Sequence, residues 1–172
     1  MKTDWQQILK DRLPLYGHRN WIVIADSAYP AQTRGGIETI VADDEQTTVL
    51  ERTLALIGQC NHIKPTIFTD KELALVPEND APGVSAYREQ LASLLNGQQA
   101  SVLPHDEIIS MLDRVGETFR VLLIKTNMCI PYTSVFLQLE CGYWNADAEK
   151  RLRAGMKSKA GARKPAKRKA RR

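Results

Sequence analysis

Two side chains able to move protons, His18 and Asp26, flank one short apolar segment of the sequence. The segment from Trp21 to Ala25 is continuously apolar and β-branched in its middle, which is typical of a strand covered on both faces and too short for a helix. Asp26 therefore lies where that strand meets its loop. In open α/β sheets, small ligands bind beyond the carboxyl ends of the strands. The spacing predicts a small-molecule site at Asp26.

Each of these groups also has a purely structural interpretation. An ordinary histidine titrates near neutral pH, so His18 is a candidate acid–base group, although it could instead cap a backbone carbonyl in its loop. Asp26 is a candidate ligand-binding carboxylate, or a turn residue whose side chain bonds the backbone of Ala28. His105 lies between a predicted strand and a predicted helix. It is either a ligand contact or a residue at the start of a helix.

A third group of candidates lies in one loop near the end of the chain. Tyr132 follows Pro131 there, so that its ring packs while its hydroxyl reaches a ligand or solvent. Cys129 invites a nucleophile hypothesis, but nothing around it indicates a lowered thiol pKa, and a buried structural cysteine is the preferred interpretation. The three histidines are not at metal-ligand spacing from one another. We therefore predict no metal site from these residues.

The elements that must position these groups follow from hydrophobic periodicity. Apolar helical faces begin after Asp4 and from Thr48, Val84 and Pro104, and a Thr48–Glu51 capping box is predicted at the second. The predicted strands cover residues 21–25, 37–41, 65–69, 101–103, 119–124 and 134–139. This alternation predicts an α/β fold with three layers, α/β/α, around a mostly parallel or mixed central sheet.

The basic residues are concentrated at the end of the chain. Residues 150–172 hold 12 of the 24 Lys and Arg and none of the 20 Asp and Glu, so that residues 1–149, with 12 basic and 20 acidic side chains, carry a net charge of −8. The length suits one domain, which we predict over residues 1–146, followed by a basic, largely disordered tail over residues 147–172. Residues 157–172 either bind nucleic acid nonspecifically through charge or form a solvated extension without function.

Three unevenly spaced cysteines argue against a disulfide framework and favour a reducing compartment. The N-terminus lacks the apolar core of a signal peptide, and no segment approaches the roughly 20 apolar residues that span a bilayer. We predict a cytoplasmic protein without a membrane partner.

Together, several short motifs resemble the ribose pyranase and fucose mutarotase family of sugar-handling α/β proteins. The resemblance covers about residues 3 to 144. Its motifs are Gly17-His18, then Asp26-Ser27-Ala28-Tyr29-Pro30-Ala31 after the apolar strand, and Pro131-Tyr132 before the last strand. His105 falls where the family places a ligand-contacting His or Arg. Each motif is short, but their order and spacing are specific.

The resemblance implies an enzyme that interconverts cyclic forms of a monosaccharide without a metal or cofactor. Opening the sugar ring removes the proton of the anomeric hydroxyl and protonates the ring oxygen, so one acid and one base suffice. The resemblance implies that His18 transfers protons and that Asp26 binds and orients sugar hydroxyls. It also implies that His105, Tyr132 and Ser134 complete the pocket.

The separation of His18 and Asp26 bears on assembly. A fully extended path would place them up to about 26 Å apart, too far to share one monosaccharide. Either the loops fold back or neighbouring subunits complete each site. The resemblance implies ring-like oligomers, so we predict a homo-oligomer with interfacial active sites.

Three departures from the family pattern concern the substrate more than the fold. Ser134 stands where the family often has Asn, Asn127-Met128 replaces a common Gly-Glu, and the connection from His105 to Tyr132 is a few residues longer than usual. These departures leave an alternative function, a non-catalytic sugar-binding or regulatory protein.

Overall fold

The computed structural model describes residues 4–161 of the chain, and side chains over residues 4–156. The helices are α1 (Trp5–Arg12), α2 (Gln46–Gly58), α3 (Val84–Leu94), α4 (His105–Thr118) and α5 (Ala146–Gly161). The strands are β1 (Trp21–Ala25), β2 (Ile37–Val41), β3 (Ile63–Asp70), β4 (Ala100–Leu103), β5 (Val121–Lys125) and β6 (Val135–Cys141). Short 3-10 turns at Leu13–Leu15 and Lys71–Leu75 follow α1 and β3.

The six strands form one mixed sheet in the order β2-β5-β1-β6-β3-β4. β6 runs antiparallel to both of its neighbours, β1 and β3, whereas every other pair is parallel. The start of β6 therefore lies at the same edge of the sheet as the carboxyl ends of the other strands. β1 is buried at every position, as its continuous apolar sequence predicts.

Side chains of β1 point alternately to two hydrophobic cores. Ile22 and Ile24 join the core that α1, α2 and α3 cover, while Trp21 and Val23 join the core beneath α4. This alternation follows from the period of two in an extended strand. Helices therefore cover both faces, and the predicted three-layer α/β/α fold with a mixed sheet is confirmed.

Helix α2 differs from its prediction at its first turn. It begins at Gln46, two residues before Thr48, and its N-cap Glu45 makes no side-chain cap. The predicted Thr48–Glu51 capping box is therefore wrong. The helix starts earlier because the Gln46 side chain is fully buried and bonds backbone groups of the sheet edge.

Helix α5 corrects the prediction that the tail is largely disordered from residue 147. Residues 146–161 are helical, and the Ala, Lys and Arg residues of this segment favour a helix. At its start, the Asn145 side chain accepts a hydrogen bond from the Ala148 N–H (2.9 Å). Arg153 pairs with Glu149 one turn away (2.6 Å). Its side chains over residues 150–156 are exposed. The predicted disorder of residues 162–172 lies outside the described residues, and the domain boundary at residue 146 stays a prediction.

Among the described residues, none of the helices combines the length and the apolar composition that crossing a membrane requires.

Candidate functional site

A cavity of about 520 Å³ opens at the edge of the sheet where β1 and β3 end and β6 begins. Three segments line it: the residues after β1, the start of α4, and the loop of residues 126–134 that joins β5 to β6, here called the β5–β6 loop. Asp26, His105 and Tyr132 belong to these three segments in turn. The volume is within the range of small-molecule sites, about 300–1,000 Å³. Three of the five predicted site residues thus line one cavity.

Both oxygens of Asp26 have partners. Oδ1 accepts a hydrogen bond from the Ala28 N–H (2.9 Å), which is the turn that the structural interpretation predicts. Oδ2 accepts a hydrogen bond from the Ser134 hydroxyl (3.2 Å). Ser134 is only 2% exposed and does not line the cavity, so its contact is with Asp26. The turn and the serine fix the orientation of a carboxylate that still borders the cavity.

His105 lies beside the buried carboxylate of Asp70, which no sequence motif indicated. Its Nδ1 atom lies 3.1 Å from Oδ1 of Asp70, the last residue of β3, whose side chain is 0% exposed. Burial raises the pKa of Asp70 to about 6, and the nearby His105 opposes that rise. Asp70 directly follows the predicted strand over residues 65–69, so its position at a strand end could have indicated it, although that strand is less apolar than β1.

Tyr132 is held in an uncommon backbone conformation. Its φ angle of 59° lies in the left-handed region, which is costly for a bulky residue and persists only where the surroundings impose it. Its ring stands edge-on to the His105 ring, with centroids 5.5 Å apart. Tyr132 and His105 therefore form one wall of the cavity, and 38% of Tyr132 is exposed.

A buried polar network anchors the β5–β6 loop. The Gln46 amide donates to the carbonyl oxygen of Thr133 (2.6 Å) and accepts from the hydroxyl of Thr126 (2.5 Å). The Tyr87 hydroxyl donates to the same Thr133 carbonyl (2.7 Å). Gln46 thus bonds both ends of the loop, including the residue next to Tyr132. Sequence reasoning missed Gln46, because nothing local marks a helix-start glutamine as buried.

His18 lies at the opposite end of β1 from Asp26. Its Nδ1 atom is 2.9 Å from a carboxylate oxygen of Glu140, and its side chain is 52% exposed. It borders a separate cleft of about 360 Å³, here called the His18 cleft, whose lining residues are His18, Arg19, Trp21, Met111, Arg114, Val115, Phe119 and Gln138. Within one chain the loops do not fold back to join His18 to Asp26.

Two further candidates take other roles. His62 Nε2 lies 3.2 Å and 3.1 Å from the carbonyl oxygens of Leu13 and Tyr16, a backbone-capping position away from the cavity. Cys129 is exposed on the cavity wall, contrary to the preferred interpretation as a buried cysteine, with its thiol 3.4 Å from the Ser27 hydroxyl. Within the described part of the chain, no cluster of three or more His, Cys, Asp or Glu is arranged to hold a metal ion.

This geometry defines an α/β protein with a small-molecule cavity at the carboxyl edge of its sheet. Three solved structures share the fold. RbsD of Bacillus subtilis, complexed with D-ribose, is 17% identical, with 81% of this chain and 93% of that chain covered and a TM-score of 0.54. The fucose mutarotase of Streptococcus pneumoniae, in complex with L-fucose, is 18% identical. The match covers 80% of this chain and 91% of that chain, with a TM-score of 0.50. FucU of Bifidobacterium longum is 16% identical. The match covers 78% of this chain and 92% of that chain, with a TM-score of 0.52.

No protein-family profile matches the sequence, and neither does any curated protein. The structural similarities nevertheless cover nearly the whole length of each of the three proteins. The predicted resemblance to the ribose pyranase and fucose mutarotase family is thereby confirmed at the level of the fold.

Proposed function

We propose that this protein is a monosaccharide mutarotase or pyranase, an isomerase of the racemase and epimerase class that acts on a free fucose- or ribose-like sugar. The observation that carries the proposal is the cavity, in which Asp26, His105 and Tyr132 meet at the carboxyl edge of the sheet. The fold is shared with a protein complexed with D-ribose and with a fucose mutarotase in complex with L-fucose.

The side chains present suit this reaction, and it needs no cofactor. Asp26 accepts hydrogen bonds from sugar hydroxyls, while the Tyr132 hydroxyl and the His105 ring bind and orient the ring. A base takes the proton of the anomeric hydroxyl and an acid protonates the ring oxygen, and closure from the other carbonyl face reverses both steps. Positioned acid–base groups contribute about 10²- to 10⁴-fold, which is useful for a reaction that already proceeds in water.

His18 completes the site from a neighbouring copy of the chain in this proposal. It cannot reach the cavity of its own chain, since it lies at the other end of β1 and borders a different cleft. Its side chain is half exposed and its ring is oriented by Glu140, so a second copy can approach it. A homo-oligomer with interfacial sites follows, in a cytoplasmic setting that suits the three free cysteines.

Exchange NMR on a panel of free monosaccharides tests the function. We expect the intact protein to accelerate anomeric or pyranose–furanose exchange of at least one fucose- or ribose-like sugar, at catalytic protein concentration. Binding of a sugar without any acceleration would instead favour the alternative, a non-catalytic sugar-binding or regulatory protein. If the protein neither binds any sugar of the panel nor accelerates its exchange, the mutarotase function and the sugar-binding alternative are both contradicted.

A second function is proposed for the basic tail because its charge is so different from that of the rest of the chain. Residues 157–172 carry nine Lys and Arg and no acidic residue, while residues 1–149 are net acidic. We propose that the tail binds nucleic acid nonspecifically by displacing counterions from phosphates, with binding strengthened when an oligomer presents several tails.

Binding to duplex DNA at increasing salt tests this second proposal. We expect the logarithm of the binding constant to fall linearly with the logarithm of the salt concentration, by about 0.9 per neutralised phosphate. A chain truncated after Gly155 should lose the binding. A chain of full length with the tail Lys and Arg replaced by Gln is the control that separates charge from length. Salt-insensitive binding, or binding that survives both changes, would contradict the proposal.

A further inference from the structure

We propose that His105 is a second proton-transferring residue of the cavity and that Asp70 is the positioning residue that prepares it. This inference rests on the proposed function, because it concerns the same cavity and the same ring-opening reaction. It assigns a catalytic role to a histidine that the resemblance treats as a substrate contact, and a role to a carboxylate that no motif includes.

The first argument is the isolation of the Asp70 side chain. It is completely buried, and neither carboxylate oxygen makes an aligned hydrogen bond with any group that the structure describes. His105 Nδ1 lies 3.1 Å from Oδ1, within ion-pair distance, and it likewise makes no aligned hydrogen bond. Burying a carboxylate is costly unless a partner compensates for the lost water. A purely structural residue at the end of β3 would cost less without a charge, so the pair calls for a functional explanation.

The second argument is the tautomer that Asp70 imposes. A carboxylate beside Nδ1 favours the tautomer that carries its proton on Nδ1, which leaves the Nε2 lone pair free to accept a proton. His105 lines the cavity and its side chain is 32% exposed, so the part of the ring that is not against Asp70 is available to a ligand. The edge-on ring of Tyr132 restricts rotation of the imidazole.

The charged groups around the pair are compatible with this arrangement. Glu72 accepts the backbone N–H of His105 at 3.0 Å and 3.2 Å, which fixes the start of α4 without using the ring. Asp26 lies on the same cavity and, with Glu72, adds to the rise in the pKa of Asp70, whose main cause is burial. The His105 ring acts against this rise and favours the ionised form of the Asp70 carboxyl.

The proton balance of ring opening requires one neutral group that accepts a proton and one protonated group that donates a proton. Neutral His105 takes the proton of the anomeric hydroxyl at Nε2, and the C1–O5 bond breaks as the C1–O1 bond becomes a carbonyl. Protonated His18 of the neighbouring copy gives its proton to the ring oxygen. When the ring closes on the other face, His18 takes that proton back and His105 returns its proton to O1, so no proton is gained or lost.

Nitrogen NMR of the imidazole tests the positioning role without any assay of activity. We expect His105 of the wild-type protein at pH 7.5 to be mainly the Nδ1–H tautomer, and the Asp70→Asn variant to lose that preference. The Glu72→Gln variant is the matched control: it removes a carboxylate that touches the His105 backbone but not its ring, and should keep the preference. A wild-type ring with its proton mainly on Nε2 would overturn the inference.

Kinetics separate this inference from the proposed function. On the sugar that the wild-type protein exchanges, we expect Asp70→Asn to lower kcat by about 10- to 100-fold with KM changed less than about threefold, and His105→Gln to lower kcat at least as much. Glu72→Gln should stay within about twofold of the wild type. A wild-type protein that exchanges no sugar contradicts the proposed function. A wild type that exchanges sugar while Asp70→Asn retains full kcat overturns only the role of the pair.

Discussion

The His18→Ala variant is expected to lose most of the sugar-exchange activity, by about 10²- to 10⁴-fold in kcat. The reason is that alanine offers no group to protonate the ring oxygen, while Asp26, His105 and Tyr132 of the cavity remain in place. His18 is half exposed and makes one ion pair, with Glu140, so the fold should survive the change. Exchange NMR on the same sugar, with equilibrium unfolding as the check on folding, measures the effect.

A mixing experiment decides whether His18 acts on the cavity of a neighbouring copy. His18→Ala and Asp26→Asn are both expected to be inactive alone. If each site takes His18 from one copy and Asp26 from the next, mixed oligomers contain some sites with both wild-type residues, about a quarter of them in a random equal mixture. If both residues serve the same chain, co-refolding the two variants restores nothing, and the interfacial proposal is wrong.

The matched control for His18 lies in its own cleft. Arg114 lines the His18 cleft but has no place in the proposed chemistry. Arg114→Ala should therefore keep kcat within about threefold of the wild type. An equal loss in Arg114→Ala and His18→Ala would indicate that both changes disturb a shared surface, and that His18 has no specific role in proton transfer.

The Gln46→Leu variant is expected to lose about 1–3 kcal/mol of unfolding free energy and to displace the β5–β6 loop. Leucine fills similar space but makes neither the bond to the Thr133 carbonyl nor the bond to the Thr126 hydroxyl. Both partners are buried, so their lost bonds are not fully replaced by water. Because Thr133 is adjacent to Tyr132, we also expect weaker sugar binding. Urea unfolding and the KM of the exchange reaction measure the two effects.

Gln59→Leu supplies the comparison for this change. Gln59 directly follows α2 and is exposed, so replacing its amide should alter the unfolding free energy by no more than about 0.5 kcal/mol. Tyr87→Phe gives a graded case, since it removes one bond to the same Thr133 carbonyl while the Gln46 bond remains. If the Gln46→Leu and Gln59→Leu variants have the same unfolding free energy, the hydrogen bonds of Gln46 to the β5–β6 loop do not stabilise the protein.

The parts of the site that sequence could predict are those set by one segment at a time. The position of Asp26 at the end of a buried strand is predictable because an uninterrupted apolar segment precedes it. The pairing of Asp70 with His105 depends instead on β3 and β4 being neighbours at the edge of the sheet, which no local pattern reveals. Gln46 is similar, because its partners lie far along the chain and come close only through the sheet order.

The errors at α2 and α5 have local causes. The capping box at Thr48 matched a good local pattern, but burial of Gln46 determined where the helix begins. In α5, the same Ala, Lys and Arg residues that make the segment too polar for a core also favour helix strongly. Lack of apolar surface is therefore evidence against packing, and is weaker evidence against a helix.

The reversed direction of β6 gives the cavity a wall that is free to vary in length. Because β5 and β6 flank β1 and run in opposite directions, the β5–β6 loop leaves and rejoins the sheet at the same edge and passes over the end of β1. Its backbone bonds the segment after β1 there, with the Ser27 N–H donating to the Met128 carbonyl at 2.8 Å. Residues can be gained or lost between its two anchored ends without shifting the register of any strand. The loop that forms this wall of the cavity can therefore change in length while the sheet and the Asp26 carboxylate at the end of β1 keep their positions.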